Sequence, residues 1–149
     1  MKIAMASDHA GFEMKEHVKK YLIGKGYQVE DFGALLYDTN DDYPDYISKA
    51  AGFVSKNGGF GIIFGKSGAG EAIVANKIKG VRAVLAVNEE NVKLAREHND
   101  ANVLSIGSNL VSLDKANELV NLFINTPFSN EQRHMRRVNK IKDIENESK

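Results

Sequence analysis

Residues 60–78 read FGIIFGKSGAGEAIVANKI, and they contain the junction that decides the fold. The apolar run 61–64 has the length of a buried strand, and 71–78 has the composition of a helix. Between them lies a turn of small residues, 65–70. A strand, a glycine-rich turn and a helix in succession form the repeating unit of parallel α/β sheets. The junction therefore predicts an α/β fold and marks its own turn as a candidate binding site.

The rest of the chain continues the same alternation. Strands are predicted at 2–6, 27–32, 61–64, 82–87 and 103–106, and helices at 11–23, 43–55, 71–78, 89–97, 113–125 and 129–144. Such alternation implies right-handed crossovers and a parallel sheet covered on both faces. We predict a single α/β domain over residues 1–149, with a doubly wound parallel sheet of about five strands and a C-terminal helix.

Composition excludes several classes of protein. The 20 basic and 20 acidic residues cancel, so no overall field favours nucleic acid or a membrane surface. The chain has no cysteine, which removes disulfides, thiolate metal sites and a thiol nucleophile. The first apolar run, 1–6, is too short for a signal peptide, and no apolar stretch approaches membrane-spanning length. We therefore expect a cytoplasmic protein.

The turn at 65–70 does not match two nucleotide-binding patterns. Its start, GKS at 65–67, resembles the end of a P-loop, but the position that needs an earlier glycine is Phe60. The glycines at 68 and 70 begin a dinucleotide fingerprint whose third position is Ile73. A nucleotide site is disfavoured, and a non-catalytic phosphate- or nucleotide-binding module remains an alternative.

The same turn has the features of an anion-binding nest. Main-chain N–H groups of a small-residue turn that enters a helix converge on one point, where the helix dipole adds partial positive charge. Such a nest stabilises a phosphate or a developing oxyanion. Glu71 closes the turn and would place a carboxylate beside the nest. Alternatively, Glu71 is only an acid in the first helical turn, worth about 0.3–1 kcal/mol. Four small residues in succession, 67–70, favour function.

Other polar residues lie where the predicted strands and helices end. Asp8 and His9 follow the first strand, at the edge of the sheet where ligands bind, although Asp8 could only cap the next helix. His98 lies near a helix C-terminus, and Arg133 and Arg137 share a helix face, but all three could simply be solvated. No spacing indicates a metal cage or a Ser–His–acid triad. Together, the candidates suit proton transfer beside a carbonyl on a small phosphorylated molecule.

Five segments in order resemble the type B ribose-5-phosphate isomerases, a family shared with the galactose-6-phosphate isomerase subunits. The resemblance implies a Rossmann-like fold, no cofactor and no metal. It also implies sites between the subunits of a homodimer or a dimer of dimers, with a small phosphorylated sugar as substrate. The five segments cover nearly the whole chain: SDHAG at 7–11, DYP at 42–44, SGAG at 67–70 with ANK at 75–77, REHNDAN at 96–102, and RH at 133–134 with Arg137.

The resemblance implies a role for each site residue. Glu71 would move a proton between C2 and C1 through an enediolate, while Asp8 and His98 would open the furanose ring, with His98 as proton donor. Many members have a cysteine where this chain has Gly65, and Glu71 matches the branch that has a glutamate on the next helix instead. The implied substrate-binding residues are His9, Tyr43, Lys66, Ser67, Gly68, Ala69, Gly70, Asn99, Asn109, Arg133 and Arg137.

One position departs from the family pattern. Asn109 stands where the family commonly has an arginine that helps to bind phosphate. In addition, the segments 68–70 and 77–80 resemble the galactose-6-phosphate branch, which works as two different subunits. The expected reaction is the interconversion of ribose 5-phosphate and ribulose 5-phosphate, a step of the pentose phosphate pathway. The alternative within this class is an isomerase of a six-carbon aldose phosphate such as allose or galactose 6-phosphate.

Overall fold

A five-stranded parallel sheet in the order β2-β1-β3-β5-β4 organises the computed structural model, which describes residues 1–147. The strands of these residues are β1 (Lys2–Ser7), β2 (Gln28–Asp31), β3 (Phe60–Gly65), β4 (Ala83–Leu85) and β5 (Val103–Gly107). The helices are α1 (Phe12–Gly24), α2 (Tyr43–Asn57), α3 (Ala69–Asn76), α4 (Glu89–Asn99), α5 (Leu113–Asn125) and α6 (Gln132–Glu147).

Helices cover both faces of this sheet. On one face, α1, α4 and α5 enclose a cluster that includes Val18, Leu119 and Phe123, all without exposed surface. On the other face, α2 and α3 enclose a second cluster around Ile47 and Ala75. The central strands read as continuous apolar runs because both of their faces are buried. This confirms the predicted α/β class, the parallel sheet and the C-terminal helix.

The predicted boundaries were wrong by a few residues at positions that matter for the site. Helix α3 begins at Ala69 instead of residue 71, because Gly68 takes a left-handed conformation (φ 81°) and ends the turn early. Helix α4 continues to Asn99 instead of 97, ending where Asp100 turns left-handed (φ 48°). Helix α6 begins at Gln132 instead of 129. As a result, the small residues at 69–70 belong to the first turn of α3.

Two features of the topology position the polar residues. Strand β1 lies between β2 and β3 in the sheet, so a crevice opens at the carboxyl ends of β1 and β3. Strand β4 lies at the far edge of the sheet, and α4, which follows it, packs against α6. Among the helices of residues 1–147, none has the length and apolar character needed to cross a membrane.

Candidate active site

The turn between β3 and α3 is anchored to the neighbouring strand, β5, and to the segment that follows it. Ser105 of β5 donates its hydroxyl hydrogen to the carbonyl of Gly68 at 2.7 Å. The N–H of Asn109 donates to the carbonyl of Lys66 at 3.0 Å. These bonds hold the turn rigidly at the carboxyl end of the sheet, with the first N–H groups of α3 lacking intrahelical acceptors. The predicted nest is therefore built from the turn and the first helical turn together.

The carboxyl group of Glu71 turns back into this nest. The side chain is buried, and its carboxyl fills the space in which a Cβ at Gly65 would lie. Position 65 must therefore be glycine while Glu71 adopts this position. In the sequence, these two residues match one branch of the family, and the structure gives the steric reason: a side chain at 65 and this carboxyl would compete for the same volume.

Burial is the main cause that raises the pKa of Glu71 above its ordinary value, and the nearby carboxylate of Asp8 adds to the effect. Hydrogen bonds from the main-chain N–H groups of Glu71 and Gly68 act in the opposite direction and lower the pKa. The N–H groups that were expected to hold a substrate oxygen thus partly hold the carboxylate itself. A buried carboxylate with a raised pKa is a better proton acceptor than an exposed one.

A cavity of about 240 Å³ opens directly above this carboxyl group. That volume lies below the range of about 300–1,000 Å³ typical for drug-sized ligands, so the cavity suits a small molecule. Tyr43 closes one side, with its hydroxyl packed against Gly70. All the residues that line the cavity were predicted as site residues from the sequence: Asp8, Tyr43, Lys66, Ser67, Gly70 and Glu71.

Asp8 and His9 lie at the end of β1, beside the cavity. Asp8 is buried and accepts the N–H of Gly11 at 3.2 Å, so the helix-entry contact expected as its structural role is present. His9 is bonded through Nδ1 to the carboxylate of Asp41 at 2.6 Å. This hydrogen bond is the main cause that raises the pKa of His9. Asp41 was not predicted as a site residue, because a pairing across 32 positions has no local signal.

The sequence spacing gave no indication of a metal cage, yet Asp8, His9 and Asp41 each offer a ligand atom within 4.8 Å of the others. The closest of these contacts is the direct hydrogen bond between Nδ1 of His9 and Oδ1 of Asp41. In this bond, Nδ1 of His9 and Oδ1 of Asp41 face each other, so both atoms are already engaged. The arrangement is chemically an acid–histidine pair, in which the carboxylate orients the ring.

A second group of predicted residues lies on α4 and α6. His98 and Asn99 are exposed in the last turn of α4, and the ring of His98 stacks on His134 of α6 with ring centroids 4.2 Å apart. His134 is buried and bonds Ser129 Oγ through Nδ1 at 2.7 Å. Burial chiefly lowers the pKa of His134, which favours the neutral form of the ring that contacts His98. In the sequence, His134 was noted only as part of the segment RH at 133–134.

Two arginines fix the end of α4, and neither was identified from the sequence as structural. Arg96 is buried and donates to the Asp100 carboxylate at 2.8 Å and to the carbonyl of Ala101 at 2.7 Å. Arg82 donates through Nε to the carbonyl of Asn99 at 2.9 Å. The bond from Arg82 satisfies the carbonyl of the last helical residue, and the bonds from Arg96 hold the residues that follow the turn with His98 and Asn99.

The predicted phosphate-binding arginines project from α6 into solvent. Arg133 and Arg137 are exposed, and Arg133 makes an ion pair with Glu131 at 3.3 Å. A solvated position was the alternative expected for these arginines, and such exposed ion pairs contribute little to stability. Asn109 is also exposed, next to the turn that carries Lys66. These positions are compatible with binding an anion that arrives from outside the chain.

Within the described residues, the predicted site falls into two separate groups. The first contains Asp8, Tyr43 and Glu71 around the cavity, with His9 and the 66–70 turn beside it. The second is on α4 and α6, and none of its members lines that cavity: His98, Asn99, Arg133 and Arg137. Since α4 follows the edge strand β4 and Glu71 follows the central β3, one strand, β5, separates their starting points.

Comparison with known proteins agrees with this geometry. A family model described as Ribose/Galactose Isomerase matches residues 3–141. The ribose-5-phosphate isomerase B of Mycobacterium tuberculosis is 40% identical over 146 residues, which cover 97% of this chain and 90% of that protein.

Solved structures match over the same extent. The ribose-5-phosphate isomerase B of Mycoplasma genitalium with bound ribulose-5-phosphate superposes with a TM-score of 0.94 at 39% identity, covering 99% of this chain and 97% of the other. The type B ribose 5-phosphate isomerase of Trypanosoma cruzi gives 0.93 at 34% identity, covering 99% and 100%. Because model, relatives and structures agree over nearly the full length, the chain belongs to the ribose/galactose isomerase family, among its type B ribose-5-phosphate isomerases.

Proposed function

We propose that this protein interconverts ribose 5-phosphate and ribulose 5-phosphate, the aldose–ketose isomerisation of the pentose phosphate pathway. The observation that carries the proposal is the buried Glu71 carboxyl, whose pKa is raised, facing a cavity of about 240 Å³. The relative from Mycoplasma genitalium, with the same fold, was crystallised with ribulose-5-phosphate.

Glu71 is the proposed base of the proton transfer. In the open-chain aldose, its carboxylate takes the proton from C2, and O1 of the aldehyde gains a proton to give an enediol(ate). The hydroxyl at C2 then loses its proton as the C2 carbonyl forms, and the proton held by Glu71 goes to C1. The raised pKa of Glu71 favours the acceptance step, and the developing negative oxygen is proposed to accept hydrogen bonds from N–H groups around Ser67 and Gly70, which line the same cavity.

The remaining residues are assigned to ring opening and to binding. Asp8 and His98 act on the furanose ring, with His98 donating the proton, and Tyr43 and Asn99 contact the sugar. His9, Arg133 and Arg137 bind the phosphate, for which guanidinium groups are suited because they can donate two parallel hydrogen bonds. Under these assignments, residues of the Glu71 cavity and residues of α4 and α6 act on the same substrate molecule. Both groups must therefore reach it.

A homodimer whose sites lie between subunits would bring the two groups together. A two-fold axis lets the α4–α6 group of one subunit complete the Glu71 cavity of the other, at both sites at once. Exposed apolar side chains close in sequence to site residues support an interface there: Ile73, two positions after Glu71, is 62% exposed, and Leu110, next to Asn109, is 60% exposed. A dimer of dimers would preserve the same contact.

Subunit mixing tests this shared site. Glu71→Gln and His98→Ala proteins, each inactive alone, are combined and allowed to exchange subunits. About half of the dimers should be mixed, each with one intact site, which restores roughly a quarter of wild-type activity. The matched control combines Glu71→Gln with Asp8→Asn, because both lesions lie in one cavity and no intact site can form. If mass spectrometry shows that subunits exchange, but the restored activity is no higher than in that control, the shared site is contradicted.

A six-carbon substrate is the second candidate, and one observation favours it. Beside Asn109 lies a further hollow of about 350 Å³, also lined by Ala10 and Ser112, where a longer side chain at 109 would find room. The shorter Asn109 leaves space for a longer sugar phosphate. Measuring kcat/KM for a panel of aldose 5- and 6-phosphates decides between the two. The proposal predicts ribose 5-phosphate as the best substrate, and a preference for a 6-phosphate would replace it.

A cytoplasmic location belongs to the same proposal. Sugar phosphates are charged and do not cross lipid bilayers unaided, so an enzyme that uses them is expected in the compartment where they are made. Fractionation of cells that express the protein, followed by isomerase assay of each fraction, tests this directly.

A further inference from the structure

The carboxylate of Asp41 has a contact that the proposed mechanism does not use. Its Oδ1 accepts hydrogen bonds from Nδ1 of His9 at 2.6 Å and from the main-chain N–H of the same residue at 3.2 Å. The Asp41 side chain is 96% buried, since only 4% of it is exposed, whereas His9 keeps 30% of its side chain exposed. One carboxylate therefore fixes both the backbone and the ring of His9 while the rest of the ring faces solvent.

The segment around Asp41 holds that carboxylate in place. The N–H of Asp41 donates to the carbonyl of Asp38 at 3.2 Å, which closes a turn. Asp42 is the N-cap of α2 and Pro44 lies in its first turn, so the chain enters the helix directly after Asp41. Asp41 is thereby carried on a segment with little freedom. Its Oδ2 is buried without a hydrogen-bond partner in the described residues, so the pairing with His9 is its main compensation.

We propose that Asp41 is a positioning residue that acts through His9: it accepts the Nδ1 hydrogen and so presents Nε2–H toward the substrate phosphate. This rests on the proposed function, in which His9 contacts phosphate. A neutral histidine has only one N–H, and a carboxylate at Nδ1 determines where that hydrogen resides. With Nδ1 bonded, only a doubly protonated ring can donate a hydrogen bond from Nε2 to a phosphate oxygen.

The surroundings of His9 favour that doubly protonated ring. Within residues 1–147, the charged groups that act on it are carboxylates: Asp8 at the end of β1, and Asp38 and Asp41 in the segment before α2. The ring of Tyr37 meets His9 edge-on, with ring centroids 6.1 Å apart. Tyr46 of α2 lies near the same carboxylates, and burial followed by their charge raises its pKa, so it stays neutral. The hydrogen bond that the ring donates to Asp41 is the largest contribution to the raised pKa of His9, and it outweighs burial, which lowers that pKa.

The pH dependence follows with a definite sign. The pKa of His9 lies above its ordinary value of 6.5, so the doubly protonated ring persists at pH values where an isolated histidine is neutral. Its hydrogen bond to phosphate is present below that raised pKa and is lost as pH rises through it. Without the Asp41 carboxylate, the same loss occurs at lower pH.

The test compares Asp41→Asn and Asp38→Asn in the full-length protein, with inorganic phosphate as the probe. Both variants remove one carboxylate from the same segment, but only Asp41 bonds the ring. We expect Asp41→Asn to weaken phosphate binding about 10-fold near pH 7.5, raising KM for a phosphorylated substrate more than it lowers kcat. Asp38→Asn should change the phosphate dissociation constant less than about 2-fold.

A double-mutant cycle separates positioning from a purely structural role. If Asp41 acts through His9, then Asp41→Asn should have little further effect on phosphate binding in a His9→Gln background. Nitrogen-15 NMR of the His9 ring supplies a readout that needs no catalysis: in Asp41→Asn its titration midpoint should move to lower pH. Asp41→Ser serves as a second variant if the asparagine is not tolerated.

Two results would overturn the inference. One is an Asp41→Asn protein in which the His9 titration and the phosphate dissociation constant both equal those of wild type. The other is a cycle in which the effects of Asp41→Asn and His9→Gln are additive. Failure of the proposed function is distinguishable from failure of this inference. The NMR shift of His9 can be measured whether or not the protein has isomerase activity.

Discussion

Replacement of Glu71 by glutamine should separate activity from stability. Glutamine keeps the shape of the side chain and removes its basicity, so turnover should fall at least about 10²-fold, as is usual for loss of a general base. That loss corresponds to about 2.7 kcal/mol in the activation barrier. Because the carboxyl group also occupies the space beside Gly65, the isosteric change avoids creating a cavity or a clash there.

The stability effect has the opposite sign from most core substitutions. Burial raises the folded-state pKa of Glu71 above its ordinary 4.5, so the folded protein holds this proton more tightly than the unfolded chain does. Folding stability therefore falls as pH rises from 4.5 through the raised pKa, where the buried group becomes charged. The uncharged glutamine does not have this cost. The variant should be at least as stable as wild type at pH 7.5, and this advantage should shrink as pH falls toward 4.5.

Thermal unfolding across pH 4.5–8, together with steady-state kinetics, measures both effects. For a chain of this size, 1 kcal/mol moves the melting midpoint by about 2–4 °C, so a modest stability difference is detectable. The control is Glu90→Gln, an exposed acid in the first turn of α4, which should change neither turnover nor the pH trend. Near-normal turnover in Glu71→Gln would refute its role as base. A destabilised variant whose deficit grows with pH would refute the burial argument.

Further substitutions test the other parts of the site. Arg137→Ala should weaken binding of phosphorylated substrate and of inorganic phosphate alike by about 1.5–3 kcal/mol, and unchanged inhibition by phosphate would leave this arginine as a solvated residue. Asn109→Arg should tighten phosphate binding if the adjoining hollow admits the longer side chain, whereas a weaker complex would mean that the site depends on asparagine. Gly65→Ala should reduce kcat about 10-fold or more while leaving the fold intact, since its Cβ displaces the Glu71 carboxyl; wild-type kcat would show that this position is not required.

The parts of the molecule set by local pattern could be predicted from the sequence. Apolar runs alternating with helical segments gave the parallel sheet, because each strand in such a sheet is buried on both faces. The residues following β1 and β3 were expected at the edge of the sheet where ligands bind, since the carboxyl ends of parallel strands share one edge. In the structure, Asp8, Ser67 and Glu71 line one cavity at this edge.

Contacts between distant segments could not be predicted in the same way. The pairing of Asp41 with His9 and the stacking of His98 on His134 depend on how a loop and two helices dock, and neither has a sequence spacing of its own. The start of α3 was misplaced for a different reason: Ala69 and Gly70 have the composition of a turn, but the left-handed Gly68 lets the helix begin at once. Tertiary packing overrides local propensity at such positions.

The central claim, that Glu71 moves a proton between C2 and C1 of ribose 5-phosphate, is tested most directly in deuterium oxide. Ribose 5-phosphate is incubated with wild-type protein and, separately, with Glu71→Gln, and the sugar is followed by proton and carbon NMR. We predict that wild type produces ribulose 5-phosphate with deuterium at C1 and gradually removes the C2 proton from the remaining aldose, while the variant does neither at a comparable rate. Wild-type protein that binds ribose 5-phosphate but forms no ribulose 5-phosphate and leaves its C2 proton in place would contradict the account.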